Sequence, residues 1–326
     1  MEPSTVNKVG ITIGDPAGIG PELIIKLYKH FKEDAAYLIY GEEKTLLEAR
    51  ALLGVAFDYL KVNSAQEVDN PGVYILDMNI LEKPVPQPSI SSGKVAVAYL
   101  ARAVVDAVYG NIDGLLTMPI NKFWASRAGF SYEGQTEYLA QATNTKEYAM
   151  VMYSEEVKVV LLTTHIPVSE VPRKVKRENV SSKLNLIFRE FKRLFGYEPK
   201  VGVLGLNPHA GELGEIGKED MEEILPVVEE FKKKGFKVEG PLVPDTAFLK
   251  REDYDLFLCM YHDQGLIPFK LLAFEEGVNL TVGIPFPRTS PDHGTAYDIA
   301  WKGLAKENPS LKALELLEKL IHNLKA

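Results

Sequence analysis

The chain has 326 residues, 46% apolar and 25% charged, which provides for a sizeable core in two domains or one large α/β unit with two lobes. Its formal charge of −8 argues against a general nucleic-acid binder, which needs a basic face, but leaves room for a local basic pocket. The single cysteine, Cys259, excludes an intrachain disulfide framework, and no apolar run approaches the ~20 residues of a membrane span.

From the N-terminus, no basic segment leads into a long apolar one, so no signal peptide is expected and a cytoplasmic home fits. Residues 9–13 read as a strand, followed by the glycine-rich turn Gly14-Asp15-Pro16-Ala17-Gly18-Ile19-Gly20. Pro21 suits a helix first turn, and 22–31 reads as the helix. A strand at 36–40, a helix at 43–53 and a short strand at 73–76 come next. Alternate prolines at 84, 86 and 88 make an extended connector. Ser91-Ser92-Gly93 then opens a helix over 94–108 whose alanines and valines mark it as buried or interfacial. Further strands are expected at 114–117, 149–153, 158–163, 200–206, 256–260 and 279–282, with helices at 182–194, 219–234 and 311–324. Strand–helix alternation predicts a parallel sheet with helices on both faces. Cys259 falls in an apolar run and reads as a core thiol.

Several strands end in turns rich in glycine, proline and polar groups: Thr117-Met118-Pro119-Ile120-Asn121-Lys122, Thr163-Thr164-His165-Ile166-Pro167, Asn207-Pro208-His209-Ala210-Gly211 and Tyr261-His262-Asp263-Gln264-Gly265. Open parallel sheets bind ligands beyond the carboxyl ends of their strands. Any one histidine in such a place is ordinarily structural or merely exposed. His165, His209 and His262 occupy equivalent places, and three imidazoles with an open fourth position match a catalytic metal site. His30 and His322, in predicted helices, read as solvated surface. The 14–20 turn could cradle an anion at a helix N-terminus, although its glycine spacing is neither the dinucleotide fingerprint nor a Walker loop. Lys270, Asn279 and Arg288 are candidates for an anion clamp, each also readable as surface. Asp245 and Asp263 are the carboxylates best placed to orient a ligand histidine or move a proton. The alternatives are that Asp245 caps a helix and Asp263 shapes its turn.

These blocks resemble the 4-hydroxythreonine-4-phosphate dehydrogenase family of vitamin B6 synthesis. The resemblance is carried by 14–22, 117–122, Asn207-Pro208-His209-Ala210-Gly211-Glu212, Gly240-Pro241 with Asp245-Thr246, 261–265, and Arg288-Thr289-Ser290-Pro291-Asp292-His293-Gly294-Thr295-Ala296. The 14–22 loop and 293–300 are also similar to the wider isocitrate and isopropylmalate dehydrogenase superfamily. The resemblance implies a two-lobed α/β fold with mostly parallel sheet and an inter-lobe cleft. One lobe would span 1–127 with 271–326 and carry the cofactor-side loops. The other, 128–270, would carry the metal ligands and dimer contacts.

The resemblance further implies NAD, with NADP as the variant, held by His293, Gly294, Thr295 and Asp298. It implies a divalent metal on His165, His209 and His262, and substrate held by Lys270, Asn279, Arg288, Gln135 and Thr136. Zinc or cobalt suits imidazole; magnesium or manganese would need carboxylate help. Gln135 stands where the family usually has histidine, and glutamine can donate a hydrogen bond but cannot become cationic. The implied reaction is oxidation of 4-phosphohydroxy-L-threonine to a β-keto acid that decarboxylates, in a homodimer whose active site is built across the subunit boundary. Threonate or erythronate 4-phosphate is the alternative substrate class. A phosphate acetyltransferase-type acyltransferase or a metal hydrolase would need no nicotinamide, and the three histidines weigh against the former.

Overall fold

The computed structural model describes residues 6–326. The chain divides into two compact units, Met1–Lys146 with Ile284–Ala326, and Glu147–Gly283. In chain order the first unit supplies β1 (Asn7–Thr12), α1 (Gly20–Leu27), β2 (Ala35–Gly41), α2 (Glu43–Leu53), β3 (Leu60–Val62), β4 (Gly72–Asp77), α3 (Ile90–Val108), β5 (Gly114–Thr117), α4 (Lys122–Arg127) and α5 (Gln135–Ala142). The second supplies β6 (Ala149–Tyr153), β7 (Lys158–Leu161), α6 (Val171–Lys174), α7 (Arg177–Phe195), β8 (Val201–Leu204), α8 (Leu225–Lys233), β9 (Val238–Leu242), α9 (Pro244–Ala247), β10 (Leu256–Cys259), α10 (His262–Ala273) and β11 (Val278–Val282). The chain then returns to the first unit for β12 (Arg288–Pro291) and α11 (Asn308–Lys325).

In the first unit the strands lie in the order β3-β4-β2-β1-β5-β12, and every pairing is parallel. Helices α3 and α11 pack against these strands, burying Leu100, Val104, Leu317 and Leu320 beside Ile11, Leu115 and Leu116. Local sequence explains the helix ends. Ser89 caps α3 through a reciprocal box with Ser92, one turn earlier than the expected start, so the helix opens at Ile90. Gly54 closes α2 and Gly196 closes α7, both in the left-handed conformation.

In the second unit the order is β11-β6-β7-β10-β8-β9. The mostly parallel sheet has its exception here: β6 runs antiparallel to both β7 and β11. The link from β6 to β7 (154–157) is too short for a parallel crossover, which requires a dozen or more residues. A dry cluster built on Val159, Leu161, Phe257, Cys259 and Phe269 forms this unit's core, with the Cys259 thiol fully buried.

The units divide elsewhere than the expected 127/128 and 270/271. Helix α5 stays with the first unit because Gln135 donates to the Met118 carbonyl (3.2 Å) and Thr136 meets Arg288. Strand β11 stays with the second because it pairs with β6 over its whole length. Among the described residues no helix is long and apolar enough to cross a membrane.

Candidate active site

The polar turns gather at strand ends in each unit, and the two units build different environments. In the first unit the loop after β1 is fastened to the segment after β12. Gly14 has φ +69, and a side chain there would drive into the Pro119 carbonyl, so glycine alone suits this turn. Asp15 is fully buried: Oδ1 accepts from the Ala17 amide (2.9 Å), and Oδ2 accepts from the Tyr297 hydroxyl (2.5 Å) and Ser92 (3.4 Å). Burial pushes its carboxyl above the usual range, while those hydrogen bonds oppose the shift. Glu22, also fully buried, accepts from the amides of Trp301 (2.8 Å) and Gly303 (2.6 Å). The Trp301 indole donates to the Pro16 carbonyl (3.0 Å), and the Ile19 amide to the Thr295 carbonyl (3.0 Å).

The expected cofactor residues lie in this fastened segment. Thr295 is buried, and a Cβ on Gly18 would reach 2.9 Å from its carbonyl oxygen, so the two loops touch only because residue 18 has no side chain. Gly294 and Asp298 are exposed. His293 is half-buried; Nδ1 lies 3.1 Å from the Gly294 carbonyl and Nε2 is buried with no hydrogen-bond partner among the described residues. Burial holds its pKa below the usual 6.5. An orphaned ring nitrogen beside exposed backbone fits a ligand-facing loop. Asp15, Glu22, Ser92, Tyr297 and Trp301 were missed as partners in the sequence; the 14–22 and 293–300 blocks signalled only Asp15, Glu22 and Tyr297.

Arg288 is the most unusual residue of this unit. It is 2% exposed, on β12 beside β5. Its guanidinium donates to the Thr117 hydroxyl (Nε 3.0 Å, Nη2 2.7 Å), to Thr136 (Nη1, 3.3 Å) and to the Gln135 side-chain oxygen (Nη2, 3.4 Å). Desolvation lowers its pKa to about 10, partly countered by Glu137. Arg288 thus sits buried among hydroxyls and an amide at the first turn of α5, with Glu137 as a nearby opposite charge. Three expected substrate residues, Gln135, Thr136 and Arg288, are thus brought into direct contact.

The second unit holds the histidines. The rings of His165 and His262 lie 5.8 Å apart, centroid to centroid. His262 opens α10, and its Nδ1 lies 2.7 Å from Asp263 Oδ1. That contact orients the ring, as carboxylates orient histidines in metal sites. The rest of the motif has mechanical roles. The Gln264 side chain accepts from the Met260 amide (2.7 Å) and donates to the Gly205 carbonyl (2.8 Å), tying the end of β10 to the end of β8. A side chain at Gly265 would meet Leu161 at 2.9 Å, so glycine lets α10 settle on β7.

His209 sits in a turn where five successive residues, His209 to Leu213, have φ between 44° and 78°. Four of them are not glycine, and each costs roughly 1–2 kcal/mol in the left-handed basin. Buried Asp220 holds the entry to this turn, accepting from the Leu206 amide (2.6 Å), the Asn207 amide (3.2 Å) and the Asn207 side chain (2.8 Å). Bonds to a charged group contribute about 1.5–3 kcal/mol each, comparable to the strain. His209 Nδ1 stands 3.5 Å from Glu212, and α9, which carries exposed Asp245, packs against the same turn. Asp245 lies inside the first turn of α9 and is not its cap. Among the described residues of one chain, no three histidine, cysteine or acidic side chains gather as an ion would need. His165 and His262 are brought together; His209 is not joined to them in such a group. Lys270 is exposed on the last turn of α10, and the Asn279 side-chain oxygen is buried without a hydrogen-bond partner among the described residues.

With this geometry in hand, comparison with known proteins is informative. Residues 33–317 match the family profile described as pyridoxal phosphate biosynthetic protein PdxA. The chain is 65% identical over 314 residues to 4-hydroxythreonine-4-phosphate dehydrogenase of Aquifex aeolicus, covering 96% of this chain and 98% of that protein. It is 39% identical over 325 residues to D-threonate 4-phosphate dehydrogenase of Pectobacterium atrosepticum, covering 96% and 98%. Its fold superposes on the crystal structure of 4-hydroxythreonine-4-phosphate dehydrogenase from Klebsiella pneumoniae with TM-score 0.85, 36% identity and coverage of 98% and 99%.

Proposed function

The chain belongs to the PdxA family of pyridoxal phosphate biosynthetic proteins, and from that membership we propose that it oxidises 4-phosphohydroxy-L-threonine with NAD in a divalent-metal-dependent reaction. The product is a β-keto acid that decarboxylates to 3-amino-2-oxopropyl phosphate. The observation that carries this reading is Arg288: a desolvated guanidinium flanked by Thr117, Thr136 and Gln135 is what a phosphorylated substrate needs and what a neutral one does not.

The nicotinamide cofactor, NAD or NADP, supplies the hydride acceptor, and a divalent ion such as zinc, cobalt, magnesium or manganese supplies Lewis acidity. The chain's residues do the rest. Arg288, Thr136 and Gln135 hold the phosphate, with Lys270 and Asn279 as further donors, and that remote grip positions the reacting carbon. His165, His209 and His262 would hold the ion, with Asp263 fixing the His262 tautomer. Asp245 and Asp263 are the carboxylates for proton movement. His293, Gly294, Thr295 and Asp298 would hold the nucleotide on the loop that Asp15, Glu22 and Trp301 fasten. The buried thiol and the absence of a membrane-crossing helix among the described residues accord with a cytoplasmic enzyme.

We infer that the working form is a homodimer in which the partner completes the histidine site. Helix α10, which begins at His262, exposes Ile267 (57%), Leu271 (83%) and Phe274 (73%) in succession, and the His209 turn exposes Leu213 (86%). Apolar side chains this exposed beside ligand histidines favour a covering chain.

The second reading is D-threonate 4-phosphate, supported by the 39% identity to an enzyme of that name. The 65% identity to the hydroxythreonine enzyme, against 39% to the threonate enzyme, supports the former. The test is NADH formation from each substrate after chelation and after adding back divalent metal. Turnover of 4-phosphohydroxy-L-threonine that disappears with chelator, returns with metal and is absent in His209→Ala supports the proposal. Turnover of the threonate ester alone moves the assignment to that class, and turnover of neither under any metal ends the dehydrogenase reading.

A further inference from the structure

We propose that the second unit carries a separate anion site, between the turn after β7 and the first half of α7, that takes a small phosphate-class dianion. A cavity of about 390 Å³ lies there, within the ~300–1,000 Å³ range of small-molecule sites. Its polar lining is Thr163, Thr164, Lys174, Asn179, Ser182 and Lys183. It shares no residue with the Arg288 cluster.

The charges around it are unevenly paired. On the flanking segment Arg173 pairs with Glu170 (3.1 Å) and Lys176 with Glu223 (3.1 Å). Lys174 and Lys183 make no side-chain hydrogen bond or ion pair among the described residues. Lys183 is half-buried, and that burial depresses its pKa against the opposing charge of Glu147. Glu147 is itself engaged, accepting from Ser182 (3.2 Å) and Arg189 (3.3 Å). The Asn179 amide is given to the Lys174 carbonyl (2.8 Å) and the Thr163 hydroxyl to the Met260 carbonyl (2.7 Å). Two ammonium groups and the Thr164 hydroxyl remain as donors into one cavity. A desolvated ammonium without a partner is costly, and an anion restores both its charge balance and its hydrogen bonds. Because Thr164 adjoins His165, an occupant fixes the turn that presents that ring.

The test is residue-resolved amine labelling of the full chain, read by mass spectrometry, with and without inorganic phosphate, and in a parallel arm with a phosphorylated hydroxy acid. It needs no turnover, so its outcome is independent of the dehydrogenase proposal. Lys183 should be labelled about tenfold more slowly when phosphate stands at ten times its Kd, by mass action. Lys192, exposed on the same helix, serves as control and should keep its rate. Protection at a lower concentration of the hydroxy-acid ester assigns a monoester as the occupant. An unchanged Lys183 rate in both arms, or equal slowing of Lys183 and Lys192, overturns the site.

Discussion

The Arg288 corner of the first unit and the histidine face of the second are built on opposite plans. Around Arg288 and the 14–22 loop every buried carboxylate has donors, loops are fastened by backbone and indole bonds, and the key cation is 2% exposed. The histidine face is open: the side chains of His209 and His262 are 60% and 42% exposed, and large apolar groups stand in solvent around them. The first corner is held in place within one chain by its own hydrogen bonds. In the second, Asp263 orients His262 and Asp220 holds the entry to the His209 turn, while large apolar side chains nearby face solvent. A single chain thus holds a buried, hydrogen-bonded arginine in one unit and exposed histidines in the other.

That contrast can be broken at either end. The largest effect is expected from Arg288→Met, which keeps the volume and removes the charge. We expect kcat/KM for the phosphorylated substrate to fall about a hundredfold or more, ~3 kcal/mol or above. The melting temperature should hold or rise, because a desolvated guanidinium is gone. A large drop in melting temperature with unchanged kcat/KM would make Arg288 a structural cation. The second effect is smaller and concerns the open face. Leu271→Asp, at an exposed position of α10, should weaken self-association by about 2 kcal/mol, roughly thirtyfold in Kd, and lower activity at dilute protein. Sedimentation alongside turnover decides it, since a monomer with full activity would show that one chain completes the site.

The same contrast governs what the sequence disclosed. Apolar runs revealed β1, β2, β5, β6 and β10 to within a residue or two, and the polar turns after β7, β8 and β10 drew attention to the histidines. Four things could not be read. Direction is absent from periodicity, so β6 gave no hint of running antiparallel. Arg288-Thr289-Ser290-Pro291 has no apolar run, so β12 and the burial of its arginine emerge only from tertiary packing. The Asp15–Tyr297 bond joins residues 282 positions apart, and no local pattern couples them. The left-handed turn at His209 was equally hidden, because one glycine in Pro208-His209-Ala210-Gly211-Glu212-Leu213 does not announce five positive φ angles. What was legible belongs to chemistry carried by residue type; what was not belongs to long-range contacts that hold those residues still.

The smallest predicted effect probes the first corner through pH. Burial keeps His293 below its usual pKa of 6.5, while Gly294 and Asp292 act the other way. In the unfolded chain the imidazole protonates first as pH falls, so below about 6.5 the unfolded state binds more protons. The stability associated with neutral His293 is therefore full above that pH and is lost as pH falls through the lower, folded-state value. His293→Leu, which cannot titrate, should narrow the gap between melting temperatures measured at about pH 7.5 and about pH 5, where the two protonation states separate. The exposed residue His322, changed to Gln, should leave the gap as it is. An unchanged gap in His293→Leu would mean that the ring is as solvated as the histidines of the second unit, and the preorganised character of this corner would then reside in Asp15, Glu22 and Arg288 alone. A narrowed gap places His293 within the same desolvated loop assembly, and its unpartnered Nε2 becomes the atom to examine for cofactor contact.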